Sequence, residues 1–311
     1  MTTDVVQVSP LWSVAAVVLL LGLASAAAGL SGALTARAGG GAAGAGIGMP
    51  LRETARLLRQ RRRSTVAADR VLWRTGGAGL LVTAVLMVAV VPLGRWTLAD
   101  LDVGVVWFNA MDVLVWAAVW LTGWGANSAH GLVGAYRFLA QALAYELPLM
   151  FALTVPVAAA GSLRVGDLVA AQQHLWFVVW MPVAFAVFCV AIVAFSAWGP
   201  FAHAADSDIA GGVLTELSAV DRLLVLAGRY ALLTAGAAFA VPVFLGGGAG
   251  PVLPGWLWVL VKTALLLAVL VTVREKVPTV RPEPFATTAW LVALPAVLVQ
   301  VLVVAVIVVG R

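Results

Sequence analysis

The chain has 311 residues, of which 63% are hydrophobic and only 11% charged, and its mean hydropathy is +1.04. A soluble domain carries about a quarter charged residues, so this composition excludes a soluble globular protein and reads as a polytopic membrane bundle. A formal charge of +5 would point a soluble protein towards nucleic acid, but here the positive residues gather in the loops of one side, which is a signal of membrane topology.

Met1 to Pro10 contains Asp4 and no Lys or Arg, so it lacks the basic start of a secretory signal. The first apolar stretch is about 20 residues long and is expected to stay as a membrane span. Further stretches of that length give spans at 11–32, 76–94, 105–123, 138–160, 174–198, 223–246, 254–273 and 287–309. The expected fold is therefore all-α, one integral membrane domain over 1–311 with about eight transmembrane helices. An even count puts both termini on one side. Loop 33–75 holds nine Arg, and its side of the membrane collects fourteen Lys and Arg in all, against three on the other. That asymmetry places both termini outside a bacterial-type plasma membrane.

Loop 33–75 divides in two. Gly39 to Gly48 is flexible, and Pro50 to Arg63 reads as a helix with Pro in its first turn. Arg52, Arg56, Arg59 and Arg63 fall on one stripe, and Leu51, Ala55 and Leu58 on another, as in a helix lying in the headgroup plane. A lipid anchor and a functional role both fit. Loop 199–222 carries Asp206, Asp208, Glu216 and Asp221 beside only Arg222. The acids are too irregular for a Ca²⁺ loop, and a solvated hairpin accounts for them. Thr215 or Ser218 marks a helix start. Cys189 is the only cysteine, and His130, His174 and His203 are scattered, so no metal-ligand set and no cofactor bound by this chain are expected.

The stretch from Gly123 to Met150 stands apart. A span ends in Gly123-Trp124-Gly125, a short polar segment follows, and the next span carries Arg137, Gln141, Tyr145 and Glu146 into apolar surroundings. Arg137, Gln141 and Tyr145 form one stripe at i,i+4 spacing, and Pro148 frees a carbonyl within a turn of Glu146. Glu146 reads equally as a group that exchanges protons or as a structural acid paired with a cation. Asp112 falls mid-span and needs a partner or a proton; Lys262 and Arg229, both inside spans, are the candidate partners. Pro182, Pro242 and Pro295 interrupt further spans, a weak sign of hinges or hydrated cavities.

Five segments in order resemble a known family. Gly123-Trp124, Ala126-Asn127-Ser128, Gly134-Ala135-Tyr136-Arg137, Ala140-Gln141 and Tyr145-Glu146 are similar to a GWASNS…GALR…AQ…SYE pattern. Asp102-Val103-Gly104, the Pro50 to Leu58 segment, and Pro200-Phe201 with Gly211-Gly212 and Thr215-Glu216 continue it. The run Lys262, Arg274, Pro278, Arg281 and Trp290 completes it. Together, over about residues 20–295, they resemble the NADH dehydrogenase subunit 1 family of respiratory complex I, the proton-translocating NADH:quinone oxidoreductase, whose bacterial members are its H-type subunits.

That resemblance implies a membrane subunit that helps form the quinone chamber and links quinone reduction to proton movement. No residue of this chain would be catalytic by itself. Quinone, whether ubiquinone or menaquinone, would be the substrate. FMN and Fe–S clusters would belong to partner subunits, and the partners would be the other membrane and peripheral subunits of the respiratory-chain complex. By matched position or burial, Glu53, Arg56, Arg137, Asp206, Asp208 and Arg281 would line or support the chamber. Glu146, Asp112, Glu216, Arg229 and Lys262 would belong to the proton path. The chain departs from the pattern at Ala202, which replaces an acid, at Arg229, which reverses a charge, and at Asp112, where the family has a small residue. Asp112 and Arg229 are a candidate compensating pair. Two other classes compete: the membrane anchor of an energy-converting hydrogenase or formate hydrogenlyase, and a stand-alone secondary transporter using Asp112 and Glu146.

Overall fold

Hydrocarbon offers no water to backbone N–H and C=O groups, so an apolar chain satisfies them along its own helices. The computed structural model describes residues 5–207 and 211–310, the side chains of Arg274 and Glu275 excepted. A short strand β1 (Val6–Gln7) and a 3-10 turn (Pro10–Trp12) lead into α1 (Ser13–Ala38). Then come α2 (Ala43–Ile47), α3 (Met49–Arg59), α4 (Arg70–Val88) and β2 (Trp96–Thr97), which pairs in parallel with β1. The hairpin α5 (Gly104–Gly125) and α6 (Ala129–Ala160) follows, and after it α7 (Val165–Ala171), α8 (Phe177–Trp180) and α9 (Pro182–Phe195). A 3-10 segment (Gly199–Ala205) precedes α10 (Ala219–Phe244) and α11 (Gly255–Lys276). The last span is α12 (Pro282–Thr288), a π turn (Ala289–Ala293) and α13 (Leu294–Val309).

Among the described residues eight helical stretches are long and apolar enough to cross a membrane, so the expected all-α, eight-span class is borne out. Their boundaries differ from the hydropathy reading where a local feature overrides composition. The fourth span begins at Ala129 rather than 138, because Arg137 is carried inside the helix and bonds the carbonyl of Gly211 at 2.6 Å. The fifth begins at Pro182 rather than 174. Residues 177–180 form the separate turn α8, and Pro182 sits at the first helical position, where its missing N–H costs nothing. Helix α3 stops at Arg59 rather than 63. Gln60 is extended, and Arg63 leaves the arginine stripe to donate its backbone N–H to Ser218 Oγ at 2.8 Å.

The bundle is assembled on α10, the most enclosed span, which touches α1, α3, α4, α7, α9 and α11. Its run Ala235-Gly236-Ala237 and Ala240 is fully buried. Lipid is as apolar as the helices, so association rests on close packing, and small residues permit it. Gly76 on α4 shows how close: a methyl group there would lie 2.5 Å from the Ala118 carbonyl of α5. On the other side Phe108, Phe188, Phe195 and Phe239 fill the junction of α5, α9 and α10, with Phe108 stacked on Phe239 at 3.8 Å.

Candidate functional site

Two places collect polar groups inside this apolar frame. The first is set by the α5–α6 hairpin. Helix α5 ends in Gly123-Trp124-Gly125, and Asn127 takes a left-handed turn (φ +44°), which Asn tolerates better than most residues. Gly123 then crosses Gly131 so closely that a Cβ would stand 2.5 Å from the Gly131 carbonyl. This crossing lays the stripe Asn109, Asp112 and Trp116 of α5, spaced i, i+3 and i+7, against Tyr145 and Glu146 of α6.

There Asn109 Nδ2 donates to Glu146 Oε1 at 3.0 Å, Tyr145 Oη donates to Asp112 Oδ1 at 3.2 Å, and Trp116 Nε1 donates to Tyr145 Oη at 3.1 Å. Asp112 is fully buried, Tyr145 nearly so, and Glu146 half-buried. The two hydrogen bonds bring both carboxyls to the same α5–α6 contact. Each keeps a second oxygen, Asp112 Oδ2 and Glu146 Oε2, that is shielded from solvent and, among the described residues, without a hydrogen-bond partner.

Asp112 therefore pairs with neither of the cations expected for it. Lys262 lies at the far end of α10, where Nζ donates to the carbonyls of Leu245, Gly247 and Ala249 at 2.7, 3.0 and 2.8 Å, over the Trp176 ring at 4.0 Å. Arg229 donates to the carbonyls of Ser196 and Ala197 and sits beside Trp198. The compensating pair of Asp112 and Arg229 is not formed. The physical reason is the same for both cations: irregular backbone, within a span at Ala197 (φ +49°) and between two spans at Gly246 and Gly247 (φ +68° and +53°), presents free carbonyls. Such acceptors must find donors where no water reaches.

The second place is a cavity of about 430 Å³ between α1, α3, α10 and the 199–207 segment. Its walls are apolar along α1 (Leu21, Ala24, Ala28) and α10 (Leu223, Leu226). Glu53, Asp206, Arg222 and Arg229 supply the charge, and Trp198 and Tyr230 lie ring against ring at 4.6 Å. Arg56 bonds Glu53 at 2.5 Å from the exposed face of α3. With Arg222 adding its field, the Arg56 guanidinium holds the Glu53 carboxyl below its ordinary value.

Of the residues expected to form a chamber, Glu53 and Asp206 line the cavity, and Arg56 supports Glu53 from outside it. Arg137 bonds Gly211 instead, Arg281 is exposed at the start of α12, and Asp208 lies outside the described residues. Ala202, where the resemblance leads one to expect an acid, lines the cavity. Glu216 accepts from Ser128 Oγ at 2.7 Å, tying the acidic loop to the start of α6. Asn109, Trp116, Arg222, Trp198 and Tyr230 join these sites without having been marked by the sequence pattern. For the first two, their spacing about Asp112 is a readable signal.

The family model described as NADH dehydrogenase matches residues 8–305. An H-type component of NADH-quinone oxidoreductase, the second of that name in Geobacter sulfurreducens, is 34% identical over 269 residues, covering 83% of this chain and 82% of its own length. The like-named second H-type component from Cereibacter sphaeroides is 40% identical over 220 residues, 70% of this chain and 69% of its own. The first H-type component of the Rhodopseudomonas palustris NADH-quinone oxidoreductase is 37% identical over 246 residues, 78% and 77% of the two chains.

Proposed function

Because the chain belongs to the NADH dehydrogenase family, we propose that it works as the H-type membrane subunit of an NADH:quinone oxidoreductase, close in role to its named relatives. It is one subunit of that oxidoreductase and a multi-pass membrane protein. Its partners are the remaining membrane and peripheral subunits, and the FMN and Fe–S clusters belong to them. Quinone is the substrate that reaches this chain. The arginine-rich loops face the cytoplasm and both termini lie outside a bacterial-type plasma membrane; the charge asymmetry of the loops supports this orientation.

The observation that carries the quinone reading is the cavity on α1 and α10. A quinone has a polar head on an apolar tail, and the cavity offers a matching pair of environments: aliphatic walls, then the adjacent, mutually tilted rings of Trp198 and Tyr230, then Glu53, Asp206, Arg222 and Arg229. Its volume of about 430 Å³ suits the head and the first part of the tail. Arg229 also borders a small, mostly apolar internal void that reaches Thr122, Phe138 and Ser196 on the side of α5 and α6. Glu146 and Asp112 are the membrane-embedded acids of the coupling path, and Glu216 joins the acidic loop to the helix that bears Glu146. Lys262 anchors the far end of α10 within this scheme rather than relaying charge.

Ala28→Phe tests the quinone reading by filling the cavity from α1. The expected result is a roughly tenfold rise in KM for a short-chain quinone, equivalent to about 1.4 kcal/mol, with electron transfer to a soluble artificial acceptor unchanged. An unaltered KM in the assembled complex removes the cavity from the quinone route.

A further inference from the structure

We propose that Asp112 and Glu146 hold one proton between them and work as a single proton-loading pair. The inference rests on the reading of Glu146 as a proton carrier and adds a partner and a mechanism to it.

The geometry carries it. Both carboxyls have one oxygen satisfied by a neutral donor, Asn109 for Glu146 and Tyr145 for Asp112. Both leave the other oxygen shielded and without a partner among the described residues, and the bonds lie side by side, Asn109 one turn from Asp112 on α5 and Tyr145 next to Glu146 on α6. Two neighbouring carboxylates with bare oxygens in an apolar site repel and are poorly solvated. Two full acids need a further acceptor, and Asn109 Oδ1, a third shielded oxygen without a partner among the described residues, stands beside Glu146 to serve as one. A single proton between the bare oxygens satisfies both at once, as in other pairs of carboxyls that share a proton.

Among the described residues no cation offers a competing solution nearby. Helix α4, packed along α5, has its charged residues Arg70 and Arg74 at its first turns, near the 126–128 connection. Around α6, helices α9 and α13 bring only Cys189 as an ionisable group, α7 and α12 bring Asp167 and Glu283 at its two ends, the 199–205 segment brings His203, and α6 itself carries His130 and Arg137 towards its start, where Arg137 bonds the Gly211 carbonyl. Beside the pair itself stand Tyr145, Trp116 and Asn109. Glu146 is half-buried and Asp112 is fully buried, so the proton enters or leaves at Glu146 and is retained at Asp112. In the loading step one proton adds to the singly protonated pair and gives two neutral acids. Release of that proton restores the starting state, with no other bond changed.

The test compares Asp112→Asn, Glu146→Gln and the double variant in the assembled complex in inverted membrane vesicles, measuring protons moved per electron pair. Asp112→Ser, which keeps an acceptor for Tyr145, is run in parallel as a smaller replacement in case the amide does not assemble. A shared proton makes the effects non-additive: each single variant loses proton transfer by the same factor, and the double variant loses no more. In infrared difference spectra of the same samples, both single variants shift the carbonyl stretch of a neutral carboxylic acid seen in the unaltered complex. If Glu146→Gln reduces the proton yield while Asp112→Asn and Asp112→Ser leave it and the infrared band unchanged, Glu146 acts alone and the pair is overturned. Additive losses overturn it as well. If Glu146→Gln itself leaves the yield unchanged, the underlying assignment of Glu146 to the proton path fails.

Discussion

The chain buries polar groups at membrane depth in two ways, and the contrast between them separates support from chemistry. Where α10 ends, Lys262 and Gln172 meet a broken backbone. Gln172 Nε2 donates to the carbonyls of Leu168, Pro242 and Val243, its Oε1 accepts from the N–H groups of Phe177 and Gly246, and Lys262 takes the carbonyls of Leu245, Gly247 and Ala249. Every donor of the Lys262 ammonium has an acceptor, and the helix end that Pro242 helps to break is closed by side chains. The α5–α6 pair is the opposite: two acids, two neutral donors and three bare oxygens, on Asn109, Asp112 and Glu146. A satisfied polar cluster stiffens a fold, and an incompletely satisfied one has capacity left for a proton.

The largest expected effect comes from opening the closed cluster. Lys262→Met keeps the length and apolar stem but strands the three carbonyls that the ammonium holds. Each lost bond to a charged donor is worth about 1.5–3 kcal/mol, and partial relaxation leaves a net loss on the order of 3 kcal/mol. The variant complex is expected to lose thermal stability and membrane yield while retaining its proton-to-electron ratio in whatever assembles. A collapse of that ratio with stability intact reverses the assignment and makes Lys262 a relay.

A smaller effect is expected from emptying the open pair further. Asn109→Leu removes the single donor to Glu146 on a half-buried position of α5, so assembly is expected to hold. One bond to a charged group is worth about 1.5 kcal/mol at its low end, which corresponds to a roughly tenfold change in the rate of a step that depends on it. Proton transfer is expected to fall by up to that factor, and by less than in Asp112→Asn. An Asn109→Leu complex that pumps normally means that the donor only fills space.

The two clusters also show what one sequence makes legible. Eight spans, the loop asymmetry and the isolation of Asp112 and Glu146 follow from hydropathy and charge, because lipid penalises each polar residue wherever it falls. The partners do not follow. Pairing cations with acids by sign sends Lys262 and Arg229 to Asp112, but both find carbonyls freed where Ala197, Gly246 and Gly247 leave the helical region. Backbone acceptors of irregular segments carry no label in the residue string. Nor does the pairing of α5 with α6 in register, which depends on the close crossing of Gly123 and Gly131. The amphipathic helix is readable from its stripes, but its end at Arg59 is not, since Arg63 is drawn away by Ser218 from a residue 155 positions distant. The cavity is legible only as separate residues. Glu53 and Asp206 follow from family likeness, whereas Arg222, Trp198 and Tyr230 join them through the packing of α10 on α1 and α3.

The smallest effect belongs to an ion pair of a third kind, closed like the Lys262 cluster but open to solvent. Arg56 and Glu53 meet at 2.5 Å with side chains 57% and 32% exposed, a setting in which water and salt screen most of the attraction. Arg56 holds the Glu53 carboxyl below its ordinary value. A depressed carboxyl contributes to the folded loop at and above the ordinary Glu range, and that contribution is lost only as pH falls through the lowered folded value. Arg56→Ala removes the largest cause of the depression and leaves Arg222 as the remaining positive neighbour. The acid limb of quinone reductase activity is then expected to move up in pH by a fraction of a unit, with turnover at neutral pH unchanged and the shift erased in high salt. If the limb stays where it was, Glu53 does not face the substrate in its charged form. If activity at neutral pH falls instead, Arg56 reaches the quinone head itself, and the exposed pair belongs with the reactive region of the molecule rather than with its supports.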